Sequence, residues 1–370
     1  MSAPLVLVTG VTGYVGSWVA YAALKVGYRV RGTVRSLKKK SLFDDFCPGS
    51  AHNIELVEAD LTSDNGWDAA VAGCDYILHV ASPFVLEEPK NENEIIRPAV
   101  DGTLRVLRAA SKMDVLPKRI ILTASAYTIF AGRGPCDVTD DLWAVLDDKN
   151  NPVSAYAKSK VLAEKAAWDF LKDLPADKAI EMAVINPSFI MGPMRLPGSA
   201  SGSFDFYNQI LTGKMPLTVD VEFACVSVFD VARAHILAMT VPEANGKRFL
   251  LAPDVKRLPE LAAMMVEHFK SHGYKKIPTM QAPNFLIRIM AFFGESVSKA
   301  TAPSLGMSWN WKMKNSTEIL GLTFPKEFDM YYETALAAIA NGIIPDLSAD
   351  QKLTKDYVRP EFDTSMLPKV

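Results

Sequence analysis

The chain has 370 residues, 49% of them apolar and 22% charged, with a formal net charge of −2. That length supplies one large or two smaller units with a sizeable core, and the balanced charge excludes the basic footprint of a nucleic-acid or membrane-surface binder. Cys47, Cys74, Cys136 and Cys225 lie far apart without Cys/His ligand spacing, and no apolar run reaches the ~18 residues of a membrane span. The expectation is a reduced, cytoplasmic protein with no metal, no signal peptide, and no nucleic-acid or membrane partner.

Up to about residue 130, β-rich apolar runs at Leu5–Thr9, Tyr28–Val34, Ile54–Val57, Tyr76–Val80 and Ile120–Thr123 alternate with helical periodicity, as at Val15–Val26 and Ile95–Ser111. Buried runs alternating with helices predict parallel strands joined by crossover helices. Another run covers Met182–Ile190. The sequence beyond it is richer in Pro, Gly and Met, which predicts a smaller lobe over 193–345. The piece Phe223–Met239 is expected to return to the main sheet. Residues 346–370 are polar and Pro-containing, and are expected to lie on the surface as a tail. Residues 1–192 are expected to form the first domain.

The first strand runs into Gly10-Val-Thr-Gly13-Tyr-Val-Gly16. Between a strand and a helix, three such glycines have separate tasks: a sharp turn, close approach of the backbone to a pyrophosphate, and tight helix–sheet packing. An ordinary βα turn needs only one. The pattern therefore predicts a dinucleotide site, with Thr12, Tyr14 and Val15 beside the glycines.

A carboxylate about 20 residues further on would bind the ribose 2′-hydroxyl of NAD. This chain instead reads Val34-Arg35-Ser36-Leu37-Lys38-Lys39-Lys40. Arg35 suits bidentate contact with a 2′-phosphate, so NADP(H) is the expected cofactor. Lys39 is either a further contact or part of a solvated loop.

Tyr156 and Lys160 are four residues apart and share a helix face. An ammonium beside a phenol favours the phenolate and lowers its pKa, which makes the tyrosine a proton donor or acceptor for an alcohol/ketone pair. A second copy of the spacing, Tyr21/Lys25, sits in the first predicted helix and is read as structural. Ser125 follows the fifth strand, where ligands bind in a doubly wound sheet, and is read as the hydroxyl that meets a substrate carbonyl. His79, on an apolar strand, is read as a packed histidine. Trp309 and Trp311 are either lobe core or a substrate platform, and Phe285–Phe293 is either a helix closing the lobe or an apolar patch facing a membrane.

Together these pieces resemble the extended short-chain dehydrogenase/reductase family, in particular its dihydroflavonol reductase-like group, which includes yeast-type methylglyoxal and ketone reductases. The resemblance rests on the glycine loop, "VRGTVRS" around Arg35, "EADLTS" around Asp60, "LHVASPF" at Leu78–Phe84, "ENEIIRPAVDGTLRVLRAA" at Glu92–Ala110, "AYAKSKVLAEKAAW" at Ala155–Trp168 and "NPSFIMGP" at Asn186–Pro193. It implies Ser125, Tyr156 and Lys160 as a catalytic triad. It implies cofactor contacts at Arg35, Asp60, Leu61, Val80, Ala81, Ser82, Thr123, Pro187, Ser188 and Phe189.

The chain departs from the family where two serines are common and it has Ala124-Ser125. It also has Phe130 where flavonol-type enzymes carry an asparagine, which favours an apolar pocket. The Asn-Trp-Tyr-Cys stretch of cinnamoyl-CoA reductases is absent. Phe84, Tyr127, Phe130 and Phe206 are the expected substrate contacts.

The reading at this level is an α/β protein, a Rossmann-type doubly wound parallel sheet with a smaller C-terminal substrate-binding lobe. Its expected activity is NADPH-dependent reduction of a ketone or aldehyde, by a monomer or homodimer. The alternatives are a sugar-nucleotide epimerase or dehydratase, a 3β-hydroxysteroid-type dehydrogenase, or a non-catalytic NADP sensor.

Overall fold

The structure is a computed structural model and describes residues 3–83, 89–199, 201–292, 301–324 and 329–370. Its first element, β1 (Leu5–Val8), is buried along its whole length, as a strand covered on both faces must be. The glycine turn leads into α1 (Tyr14–Lys25). There follow β2 (Arg29–Val34), β3 (Glu55–Glu58), α2 (Trp67–Val71), β4 (Tyr76–His79), α3 (Asn93–Ser111) and β5 (Arg119–Thr123). After β5 come α4 (Tyr127–Phe130), β6 (Asp137–Thr139), α5 (Ala155–Lys172), β7 (Met182–Pro187), β8 (Phe189–Met191), α6 (Gly202–Leu211), β9 (Glu222–Ser227) and α7 (Val228–Thr240). The chain continues through β10 (Arg248–Leu251), β11 (Asp254–Arg257), α8 (Leu258–Phe269), α9 (Asn284–Phe292) and β12 (Asn310–Lys312).

Seven strands form one parallel sheet in the order β10-β7-β5-β4-β1-β2-β3. The chain winds outward from β1 in one direction to β3 and in the other to β10. The reversal lies between β1 and β4, where a ligand cleft is expected at the carboxyl ends. Register aligns those ends: Val8 pairs with Leu78, His79 with Leu122, and Thr123 with Ile185. A three-stranded sheet, β11-β9-β8, and the pair β12-β6 complete the strands among the described residues.

The expected run Met182–Ile190 divides at Pro187-Ser188. Its first half stays in the main sheet, and Phe189–Met191 crosses to the small one. The piece expected to return to the main sheet also splits. The strand β9 pairs with β8 and β11, whereas α7 lies against α1, β5 and β7. Arg248–Leu251, inside the stretch read as the smaller lobe, is the edge strand of the main sheet. Phe285–Phe292 is helical as read, with Phe285 and Phe292 exposed and Ile287 buried; Phe293 lies outside the described residues.

The C-terminal residues are not a loose surface tail. Phe362 and Leu367 are buried, and the Phe362 ring packs against Trp18, Tyr21 and Phe229. The Arg233 guanidinium stands over the same ring, and the Val370 amide donates to the Val26 carbonyl at 2.8 Å. Four aromatic or cationic neighbours around one phenylalanine give the strap a core of its own, which polarity alone did not reveal.

Candidate active site

The glycine turn separates the three tasks. Gly10 has φ +70°, the left-handed region that favours glycine, and turns the chain off β1. A Cβ on Gly16 would stand 2.4 Å from the Gly10 carbonyl oxygen, so only glycine lets α1 sit this close to the strand. Gly13 is exposed, and a Cβ there would meet only the Gly10 oxygen, at 3.2 Å. It leaves the mouth of the turn open at the N-terminus of a twelve-residue helix. The Gly10 amide is held by the Thr33 hydroxyl at 2.8 Å. Tyr14 turns away from the mouth, and its hydroxyl donates to the Gly192 carbonyl at 2.9 Å.

Around this turn the sequence-predicted cofactor residues gather from three strands. Thr9 accepts the amides of Val80 and Ala81 on its hydroxyl oxygen, at 3.0 and 2.9 Å, and gives its proton to His79 Nδ1 at 2.9 Å. Burial pushes the His79 imidazole down to about 3, so it is a neutral acceptor and a packed histidine, as read. Arg35 is exposed at the end of β2, and Lys39 is exposed in the turn that follows. Asp60 accepts from the Thr62 amide and hydroxyl, which hold its carboxyl below the usual range, with Arg35 and Arg105 adding to the effect. Leu61 packs on Gly102 of α3.

Ser125 follows the carboxyl end of β5, and α5 carries Tyr156 and Lys160. The Ser154 hydroxyl caps α5 by accepting the Ala157 amide at 3.2 Å, which sets the first turn of the helix that carries Tyr156 and Lys160. The Lys160 ammonium lies 5.7 Å from the Tyr156 ring centroid. Lys160 lines a small cleft with Ala81, Ser82, Thr123 and Glu164. Ser125 is buried, and its hydroxyl accepts the Tyr127 amide at 3.2 Å.

Burial lowers Lys160 to about 8, and it raises the Tyr156 phenol above its ordinary value, with Tyr127 adding to the rise. The expected lowering of the phenol is not found: desolvation raises it, and Tyr156 is a protonated acid.

Thr123 is fixed from behind the sheet. His235 on α7 donates from Nδ1 to the Val231 carbonyl at 2.7 Å, so its Nε2 accepts the Thr123 hydroxyl, also at 2.7 Å. The Thr123 lone pairs remain for the cleft. Among the predicted substrate residues, Tyr127 stacks on Phe130 at 5.3 Å and stands edge-on to Tyr156 at 6.2 Å. Phe130 packs against Trp309 and Trp311. The indole nitrogen of Trp311 donates to Glu222, so the two tryptophans extend the aromatic wall that begins at Tyr156. Phe206 forms a second cluster with Phe189 and Phe223, and Phe84 lies outside the described residues. The decoy pair Tyr21/Lys25 is set in an aromatic packing with Phe46, Trp18 and Arg195 on α1.

Residues not singled out in the sequence stand among these groups: Thr9, Thr128, Glu164, His235 and Arg248. Glu164 alone had a signal, since it lies one turn beyond Lys160 on the same helix face.

The residues present fit a dinucleotide. The glycine cradle would be filled by a Cβ, and the Ser188 hydroxyl and Asn186 Oδ1 are buried without a hydrogen-bond partner. Ser188 follows Pro187 at the end of β7, and Phe189 opens the next strand. Fold and site together define the class of oxidoreductases that work with a nicotinamide dinucleotide. The chain belongs to the NAD dependent epimerase/dehydratase family, whose description matches residues 6–252.

It is 33% identical over 271 residues to cinnamoyl-CoA reductase 1 of Arabidopsis thaliana, covering 72% of this chain and 75% of that one. It is 30% identical over 282 residues to dihydroflavonol 4-reductase of Dianthus caryophyllus, covering 74% and 75%. A solved structure of Gre2 with NADPH from Candida albicans is similar at TM-score 0.71 and 26% identity, covering 91% of this chain and 99% of that one. No helix among the described residues is long and apolar enough to cross a membrane.

Proposed function

We propose that the protein is an NADPH-dependent reductase of ketones or aldehydes. The observation that supports this reading is that Lys160 lines a cleft with Ala81, Ser82 and Thr123, with the Tyr156 ring 5.7 Å from its ammonium and Ser125 two residues beyond Thr123. When bound, the cofactor supplies the hydride. The Ser125 hydroxyl holds the carbonyl oxygen, and Tyr156, kept protonated by burial, gives that oxygen its proton. Lys160, charged below about pH 8, stabilises the phenolate left behind.

Arg35, exposed at the end of β2, selects the 2′-phosphate of NADPH, and Lys39 adds charge. Asp60, Leu61 and the Val80–Ser82 turn would hold the adenosine and ribose side, and Thr123, Ser188 and Phe189 would hold the nicotinamide side. Support comes from the relatives, which are named reductases, and from the similar structure solved with NADPH.

Phe84, Tyr127, Phe130 and Phe206 favour an apolar carbonyl compound over a sugar nucleotide, because buried hydroxyls left unpaired cost about 1–3 kcal/mol each. The protein works in the cytoplasm as a monomer or homodimer, with its four cysteines reduced. It comprises a cofactor domain over 1–192, joined by α7 and β10, a substrate lobe made of the rest of 193–345, and a terminal strap over 346–370. A panel of carbonyl compounds screened for NADPH oxidation tests the reading; no turnover with any compound overturns it.

A further inference from the structure

Behind the catalytic helix lies a buried ion pair that the reaction does not call for. Arg248, the first residue of β10, is buried, and the Glu164 side chain is fully buried. The guanidinium uses all five of its N–H groups. Nε donates to Glu164 Oε1 at 2.6 Å, and Nη2 to Glu164 Oε2 at 3.3 Å and to Thr128 Oγ1 at 2.9 Å. Nη1 donates to the carbonyls of Asp140, at 3.1 Å, and Leu142. The Trp143 ring lies 4.1 Å from the guanidinium carbon. A buried ion pair is weak evidence for stability, since well-packed apolar residues often do as well. What it supplies is direction.

Each partner of this node reaches a different part of the site. Thr128 passes its proton to the Ser125 carbonyl at 2.8 Å and so fixes the turn that presents the Ser125 hydroxyl. Glu164 lies one helical turn from Lys160 and two from Tyr156, and lines the same cleft as Lys160. The Asn186 amide donates to Thr128 at 2.9 Å and to Glu164 at 3.0 Å, directly before the Pro187–Phe189 turn.

We infer that Arg248 and Glu164 are positioning residues: one guanidinium sets the mutual register of Ser125, Tyr156 and Lys160, and the pair's zero net charge adds no field of its own at the Lys160 ammonium. This rests on the carbonyl-reductase reading above. Among the described residues, the titratable groups that face Lys160 are Tyr156 and Glu164 on its own helix, Tyr127 beside Tyr156, and neutral His79 on β4. Arg248 stands behind Glu164, and Asp140 is turned to the amides of Leu250 and Asn315.

The test compares Arg248→Lys, Glu164→Gln and the double variant E164Q/R248M with wild type, at a temperature where thermal melts show each to be folded. Arg248→Lys keeps the charge and loses the fork. It should lower kcat about 10-fold or more, since small misplacements at a reacting centre are costly, with NADPH Kd within about threefold. Glu164→Gln leaves an unpaired cation near Lys160, so the alkaline limb of the kcat profile should move to lower pH by about half a unit or more. In the double variant the limb should return.

Heteronuclear NMR of lysine-labelled protein follows the Lys160 pKa without turnover. A Lys160 pKa lowered by Glu164→Gln, beside a wild type that reduces no carbonyl, would uphold the electrostatic arm and overturn only the functional reading. Normal kcat in Arg248→Lys, or an unmoved Lys160 in Glu164→Gln, with only the melting temperature lowered, would make the pair merely structural. Arg248→Lys, which buries no unpaired charge, keeps the test open if the other variants fail to fold.

Discussion

Replacing Gly16 and Gly13 one at a time by alanine separates packing from cofactor binding within a single turn. At Gly16 the new methyl would stand 2.4 Å from the Gly10 oxygen and 3.0 Å from its carbon, both backbone atoms with no freedom to swing aside. Ordinary contact begins near ~3.5 Å, so α1 must retreat from β1 by about 1 Å. Overpacking of this kind costs about 1–3 kcal/mol, or a fall in Tm of roughly 1–4 °C for a chain of this size. At Gly13 the methyl meets one oxygen at 3.2 Å and otherwise faces solvent, so the fold should barely notice. That methyl stands where the pyrophosphate must approach, and NADPH affinity should fall about 10-fold or more, ~1.4 kcal/mol. Thermal melts and fluorescence titration with NADPH measure both quantities. If Gly13→Ala binds NADPH as wild type does, or Gly16→Ala melts unchanged, the division of tasks among the glycines is wrong.

Three further outcomes follow from the site and the strap. Arg35→Asp should remove or reverse the preference for NADPH over NADH in kcat/KM, and equal use of both by the wild type would refute the role of Arg35. Lys160 titrates near 8 while Tyr156 stays protonated above it, so kcat for reduction should be high below pH 8 and fall as pH rises through it; a profile that is flat or rises there contradicts the assignment. Phe362→Ala empties a buried cage formed by Trp18, Tyr21, Phe229 and Arg233 and should cost about 3–5 kcal/mol, read as a Tm lowered by several degrees. A surface tail would show no change.

The sequence made the main sheet legible because parallel strands buried on both faces leave near-continuous apolar runs, and Gly10, Gly13 and Gly16 stand between one such run and a helix. It could not show that Met182–Ile190 serves two sheets, because the break at Ser188 is fixed by a distant partner, the Leu251 carbonyl. Ser125, Tyr156 and Lys160 were legible from spacing joined to position along the chain, and position also separated Tyr156 from the decoy Tyr21. Arg248 was invisible for the opposite reason. It lies 84 residues from the carboxylate it holds, on a strand that pairs with β7 while Glu164 stands on α5. The strap reads as polar, yet Phe362 and Leu367 are its anchors, and two apolar residues set among charged ones carry no periodic signal. The expectation of a lowered tyrosine pKa failed because spacing reports the neighbouring ammonium and says nothing of the burial that raises the phenol.

The account turns on Tyr156 giving the proton to a carbonyl reduced by NADPH. The most direct measurement compares wild type with Tyr156→Phe for NADPH oxidation on the best compound of a ketone and aldehyde panel, alongside NADPH binding to both. The substitution keeps the ring against Tyr127 and removes only the hydroxyl. The account predicts that kcat falls about 10²-fold or more while NADPH binds with nearly unchanged affinity. Near-normal turnover by Tyr156→Phe would contradict it.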